Sequence, residues 1–270
     1  MATLNELIRS FEALWPLSGA ESWDSPGLVS GDLSRHIDRV LLSVDVTHEL
    51  VVEAAGKYDL ILAHHPFIMR GVSTLSQGTP KGRTLSTAIR SDLAIYSAHT
   101  NADVVTHGVS STLASALGVE DAVPLVQTSA SEGHGRVGNL ASPTTLGEFA
   151  QLVARVLPAS ASGVRVAGDF SQVVQRVAVC GGAGDSFISQ AAESNADVYV
   201  TGDLRHHVVQ DAREQAHLNG GVPALIDVSH WASEWLWLET AAKQLRNMQP
   251  HTTFDVSDLR TDPFDFVVTQ

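Results

Sequence analysis

The sequence predicts an α/β protein of two similar lobes made by internal duplication, and three observations carry that expectation. Short, β-rich apolar runs alternate with helical patterns, which is how a βαβ unit and its parallel sheet read in sequence. The pattern occurs twice, at Arg39-VLLSVDVTHELVVEAAGKYDLILAHHPF and at Arg176-VAVCGGAGDSFISQAAESNADVYVTGDLRHH. Each copy then closes with a strand, a histidine, three residues and a carboxylate: His99-TNA-Asp103 in one, His230-WAS-Glu234 in the other.

In chain order, the spacing of Leu4, Leu7, Ile8, Phe11 and Leu14 predicts an amphipathic opening helix. Val40 to Val44 reads as a buried strand, Asp45 as a turn, Thr47 to Gly56 as a helix and Leu60 to Ala63 as a second strand. A helix from Thr84 to Asp92 and a strand from Leu93 to Ala98 complete the first copy. In the second, Arg176 lies 137 residues after Arg39, and Ala191-Ala192 keep the same offset from Ala54-Ala55. Asp197 lies 138 after Asp59, so one residue has been inserted. A helix from about Arg205 to Leu218 and a strand from Val222 to Ser229 follow. Generic βαβ units resemble one another, but several matches in one order point to duplication. The lobes are therefore expected at residues 1–125 and 176–270. Residues 126–175, rich in Ser, Ala and Gly, read as a short connecting region with a helix from Thr145 to Leu157. A last strand is expected at Phe264 to Val268.

Composition narrows the function classes. The 270 residues carry 17 Lys and Arg against 30 Asp and Glu, a net charge of −13. An acidic surface disfavours nucleic acid or an anionic membrane as partner. One cysteine, Cys180, excludes a disulfide framework and a thiolate zinc site. No apolar run reaches membrane-spanning length, and the N-terminus lacks the basic start and apolar block of a leader, so a cytoplasmic protein is expected. Histidine is the unusual quantity, with 12 in the chain.

In parallel α/β sheets, binding residues gather just past the carboxyl ends of strands. His64-His65, His99 with Asp103, His206-His207, and His230 with Glu234 all fall at such places. His230 and Glu234 at i and i+4 share one helical face, about 6 Å apart at Cβ, which suits two ligands of one ion or of adjacent ions. His64 and His65 would point to opposite faces of a regular strand, but Pro66 ends it, and a twisted end could send each imidazole to a different metal of a pair. A single HH pair is usually a surface or capping feature, and one H-x-x-x-E is weaker still. Repetition at equivalent strand ends is what favours a metal site. Imidazole and carboxylate without thiolate suit Zn, Fe, Mn, Co or Ni.

Ala63-HHPF, Ala98-HTNAD, Tyr199-VTGDLRHH and Ser229-HWASE resemble the signature segments of the Nif-three-like dinuclear metal-centre proteins, also known as GTP cyclohydrolase type 2 homologues. Trp23-DSPGLVSGD and Leu42-SVDVTHE add support. The resemblance covers nearly the whole chain. It implies two α/β lobes facing each other across a metal-binding cleft that holds two divalent ions per subunit. It also implies a ring-shaped homo-oligomer, commonly a hexamer. Carried over residue by residue, the ligands are His64, His65, Asp103, His230 and Glu234, with Glu234 as the bridge. His99 matches a position lining the site, as a further ligand or a partner of one. Asp203 stands where the family more often has Glu, Ser25 where Asn is common, and Trp231 where Tyr or Phe is usual; none of these removes a ligand.

Such a site suits a metal-dependent hydrolase in which two ions activate a water and polarise the bond under attack. His99, His206 and His207 are the candidates for moving protons. The cyclohydrolase resemblance suggests opening of a purine-like ring of GTP, a related nucleotide or a cyclic amide. Arg70, Lys81, Arg83 and Arg205 could contact substrate phosphates, although each taken alone is more simply a solvated charge. Gly181-GAGDS could offer backbone N–H groups to an anion, a weak signal without the lysine of a P-loop. Asp24 and Asp45 could stand behind the ligands, or simply cap turns. Trp231, Trp235 and Trp237 read first as core and second as oligomer contacts. The competing reading is a non-catalytic metal-binding scaffold or regulatory partner protein.

Overall fold

The computed structural model describes residues 2–129 and 131–269. Its contacts divide the chain into two units, Met1–Ala102 with Leu238–Thr261, and Asp103–Trp237 with Asp262–Gln270.

The first unit contains β1 (Ala2–Thr3), α1 (Leu4–Leu14), β2 (Gly27–Ser30), β3 (His36–Ile37), β4 (Arg39–Ser43), α2 (His48–Ala54), β5 (Leu60–Ala63), α3 (Pro80–Arg90) and β6 (Ala94–Ser97). The one-turn helix α4 (Thr100–Asp103) ends at the boundary. Threonine hydroxyls begin the helices. Thr3 forms a capping box with Glu6, Thr47 accepts from the Leu50 amide, and Thr79 accepts from the Gly82 amide just ahead of Pro80. Every residue of β5 and β6 is buried. At about 1.5–3 kcal/mol for each large apolar side chain removed from water, this burial holds the unit together.

The second unit contains α5 (Val109–Ala116), β7 (Val119–Gln127), β8 (Gly133–Thr145), α6 (Leu146–Val156), β9 (Arg165–Ala167), β10 (Val173–Ala183), α7 (Ile188–Glu193), β11 (Val198–Gly202), α8 (His206–Leu218) and β12 (Ala224–Val228). Helix α9 (His230–Met248) follows, and β13 (Thr253–Val256) belongs to the first unit. The first unit's main sheet has the order β13-β4-β5-β6-β2, with β2 antiparallel at its edge. The second unit's sheet has the order β7-β8-β10-β11-β12-β9, in which β10, β11 and β12 run parallel.

The repeat is written in hydrogen bonds as well as in letters. Asp59 Oδ2 accepts from the amides of Asp38 (2.9 Å) and Arg39 (3.0 Å). Asp197 Oδ2 does the same with Gln175 (2.8 Å) and Arg176 (2.7 Å). The turn after each crossover helix enters the left-handed region, at Gly56 (φ +72°) in one copy and Asn195 (φ +58°) in the other.

Residues 126–175 carry more order than a connector, since β8, α6 and β9 all lie there and both strands join the second sheet. The strand expected at 264–268 is corrected: those residues form no strand, and the last one is β13. Phe264, Phe266 and Val268 are mostly exposed, so a β-prone run finds no sheet edge to pair with among the described residues. No helix of the described residues is long and apolar enough to cross a membrane.

Candidate metal centre

In the first unit, three loops past the ends of β4, β5 and β6 supply the groups. Strand β5 stops at Ala63, and the next two amides continue its pairing, from His64 to the Ser43 carbonyl (2.9 Å) and from His65 to the Val44 carbonyl (2.8 Å). Pro66 then ends the ladder. The pleat that would throw adjacent side chains to opposite faces is lost there, and the two rings lie 5.1 Å apart. His99 joins them, 5.2 Å from His64 and 5.4 Å from His65. One ring nitrogen from each of the three lies within 4.8 Å of the others, close enough to hold a metal ion.

Each imidazole is fixed through Nδ1. His64 donates to the Ala98 carbonyl (2.9 Å), which can only accept, so Nδ1 carries the proton. His65 Nδ1 meets Asp45 Oδ1 (2.7 Å), and the other oxygen of Asp45 accepts from Thr261 (2.6 Å). His99 Nδ1 meets Asp24 Oδ1 at 2.8 Å. Burial alone would raise the Asp24 pKa, but hydrogen bonds from His99 and Thr100 hold it well below the usual carboxylate range. A histidine that uses Nδ1–H on a carbonyl or carboxylate turns its Nε2 lone pair outward, the usual state of a metal ligand. Asn101 shapes the turn, accepting from the His99 amide (2.9 Å) and donating to the Trp15 carbonyl (2.8 Å).

In the second unit, Ser229 caps α9 and His230 and Glu234 share its first turns, with His230 Nε2 3.0 Å from Glu234 Oε1. His230 Nδ1 meets Asp203 Oδ2 at 2.8 Å. Burial opposes the imidazolium, but Glu234 and Asp203 outweigh it and push the pKa up to about 11. Gly182 leaves room beside this pair. Its φ is +70°, and a Cβ there would sit 2.3 Å from Glu234 Oε1 and 3.2 Å from His230 Nε2. The donor set of imidazole nitrogens and a buried carboxylate, with that cleared space, fits a divalent cation.

The remaining sequence candidates have the following surroundings. Asp103 is the last residue of α4, half-buried. The two carbonyls after it, of Val104 and Val105, accept from the buried guanidinium of Arg136, at 3.5 and 2.7 Å. His206 and His207 open α8, exposed, with rings 5.2 Å apart. Lys81 and Arg83 line a hollow of about 420 Å³ together with His48. Arg70 is exposed, and Arg205 is paired with Asp185. The amides of Gly181 and Gly182 are not offered to an anion, because they donate to Ser110 (3.2 Å) and Ser233 (2.9 Å). Trp231 and Trp237 are buried.

Sequence reasoning noted Asp203 only as a departure from a pattern and passed over Arg136. Position was the available signal for Asp203, the first residue after β11.

The sequence model of the Duf34/NIF3 family (NGG1p interacting factor 3) matches residues 2–263. A Streptomyces coelicolor protein named a GTP cyclohydrolase 1 type 2 homolog is 43% identical over 273 residues, spanning 98% of this chain and 94% of its own. A Clostridium perfringens protein of the same name is 33% identical over 268 residues, spanning 98% and 99%. Among solved structures, a Bacillus cereus protein related to NIF3 superposes with a TM-score of 0.88 at 27% identity, over 98% of this chain and 99% of that one.

Proposed function

The chain belongs to the Duf34/NIF3 family, and on that premise we propose that it is a dinuclear metal-dependent hydrolase of the cyclohydrolase type. Its substrate is GTP, a related nucleotide or a cyclic amide. His64, His65, Asp103, His230 and Glu234 would hold two divalent cations, Glu234 being the ligand that could serve both. Two such ions, when bound, make water acidic enough to attack at neutral pH and polarise the bond that breaks.

The observation that carries this reading is the set of fixed rings. His64, His65, His99 and His230 each commit Nδ1 to a carbonyl or carboxylate oxygen. Core or capping histidines have no reason to repeat that arrangement four times. His99 is the proton-moving group, since its imidazole stays oriented by Asp24 and imidazole exchanges protons near neutral pH. Lys81 and Arg83 take the anionic end of the substrate. The names of the curated relatives support the substrate class. The assembly is a homohexameric ring in the cytoplasm.

The test uses purified protein with its metals quantified, offered GTP, other nucleotides and cyclic amides. Turnover should vanish in His65→Ala and Glu234→Ala while circular dichroism stays native. Stoichiometric metal without turnover on any substrate would sink the hydrolase and leave a metal-binding scaffold. A protein that takes up no divalent metal would sink both.

A further inference from the structure

We propose that the hollow between α8 and the strands β9 and β12 is a binding site for a small organic carboxylate with an aromatic or branched apolar body. This site is bordered by His206 but contains none of the histidines of the candidate metal centre, and it works without metal.

The hollow has a volume of about 500 Å³, within the range of about 300–1,000 Å³ typical of small-molecule sites. It follows from how α8 packs. Of the residues from His206 to Leu218, only Ala216 is fully buried, while Val209 and Ala212 pack against the core from partly exposed positions, so a hollow is left beside them. The gap is walled by apolar groups, Val166 and Ala167 from the edge strand, Leu225 from its neighbour, and Leu204 and Val209. Three charged side chains line it as well: Arg165, Arg213 and Asp227.

Their pairing sets the ligand's charge. Asp227, mostly buried, accepts from the Leu204 amide with Oδ1 (3.0 Å) and is paired through Oδ2 with Arg165. That cancels one guanidinium. Arg213 makes no side-chain hydrogen bond or ion pair among the described residues, and it also borders an adjoining hollow of about 400 Å³. One unbalanced guanidinium over an apolar floor matches one carboxylate on an apolar body. A planar fork of donors is the geometry that grips a carboxylate through both oxygens. In a chain of net charge −13, an uncompensated cation facing a cavity is also a local attractor for anions.

The experiment is calorimetric titration of chelator-stripped and metal-loaded protein with phenylacetate, indole-3-acetate, acetate, phenylacetamide and phenyl phosphate. Phenylacetate or indole-3-acetate should bind saturably, within twofold in the two forms. Acetate lacks the body and phenylacetamide the charge, so each should bind at least tenfold more weakly. Arg213→Ala should cost tenfold or more, with Arg213→Lys in between. Val209→Trp should abolish binding by filling the cavity while the guanidinium remains. No saturable binding by either aromatic carboxylate in protein with native circular dichroism overturns the proposal. So does unchanged affinity in Arg213→Ala, or phenyl phosphate binding more tightly than the carboxylates.

Discussion

Gly182→Ala is the sharpest probe of the proposed metal-ligand pair of the second unit, His230 and Glu234. A methyl at this position would stand 2.3 Å from Glu234 Oε1. Real contacts of that kind stop near 3.0 Å, so the carboxylate must retreat by at least about 0.7 Å. Metal sites tolerate ligand displacements of only about 0.2 Å. The loss of affinity should therefore reach at least the 10–100-fold (about 1.4–2.8 kcal/mol) seen when a ligand's support is removed. The backbone adds its own cost, because φ is +70° and a side chain in the left-handed region costs about 1–2 kcal/mol. Gly56→Ala provides the control: its φ is +72° with nothing within 4 Å of the added methyl, so it carries the backbone cost without the crowding. Both variants should lose comparable stability in urea, with any excess in Gly182→Ala measuring the crowding. Only Gly182→Ala should lose metal, by titration calorimetry and elemental analysis. If it keeps the wild-type metal content and an affinity within twofold, Glu234 holds no ion and the reasoning fails.

Asp203→Ala removes the group that fixes His230 Nδ1 and should weaken metal binding about 10–100-fold, read by calorimetry; full retention would mean that the ring needs no anchor. Arg136→Met strips donors from the carbonyls of Gly133 (2.6 Å), Gly135 (2.7 Å) and Val105 (2.7 Å). Leaving those oxygens buried without a partner should cost about 3 kcal/mol or more in urea unfolding; a loss under 1 kcal/mol would show that water replaces the guanidinium. Burial pushes the Cys180 thiol from 9.0 up to about 12, so about one molecule in ten thousand is thiolate at pH 8 and iodoacetamide should label it only after unfolding. Rapid labelling of native protein in mass spectra would contradict that. The same thiol sets a sign for pH dependence. The unfolded chain loses its proton first, so stability should fall as pH rises from about 9 toward 12, by about 1.4 kcal/mol per unit for this group.

The parallel cores were legible because their cause is local. Leu60 to Ala63 reads as a strand, and the structure has a strand with those bounds, since a short all-apolar run flanked by turn residues has few other ways to leave water. The helices expected from Thr47 and Thr145 begin there in the structure, where each threonine side chain caps its helix. The meeting of His64 with His65 was half legible: alternation along a strand argued against it, and only the ladder's end after Ala63 permits it. Arg136 was not legible, because a buried guanidinium satisfied by main-chain carbonyls leaves no partner residue in the sequence to notice. Nor was the strand content of 133–145, where Gly, Ser, Thr and Pro mask a chain recruited by its neighbour β10. Phe264 to Val268 erred the other way, since β-propensity is met only where another strand is at hand.

The oxygens behind the first unit's rings have a consequence for the order in which partners arrive. His64 leans on a neutral carbonyl, whereas His65 and His99 lean on Asp45 and Asp24, so two carboxylates sit directly behind the three imidazoles. Carboxylates in that position disfavour an anion beside the rings. A doubly charged cation held by the rings would offset the two carboxylates. On the proposed reading, an anionic substrate would then enter only after the cation.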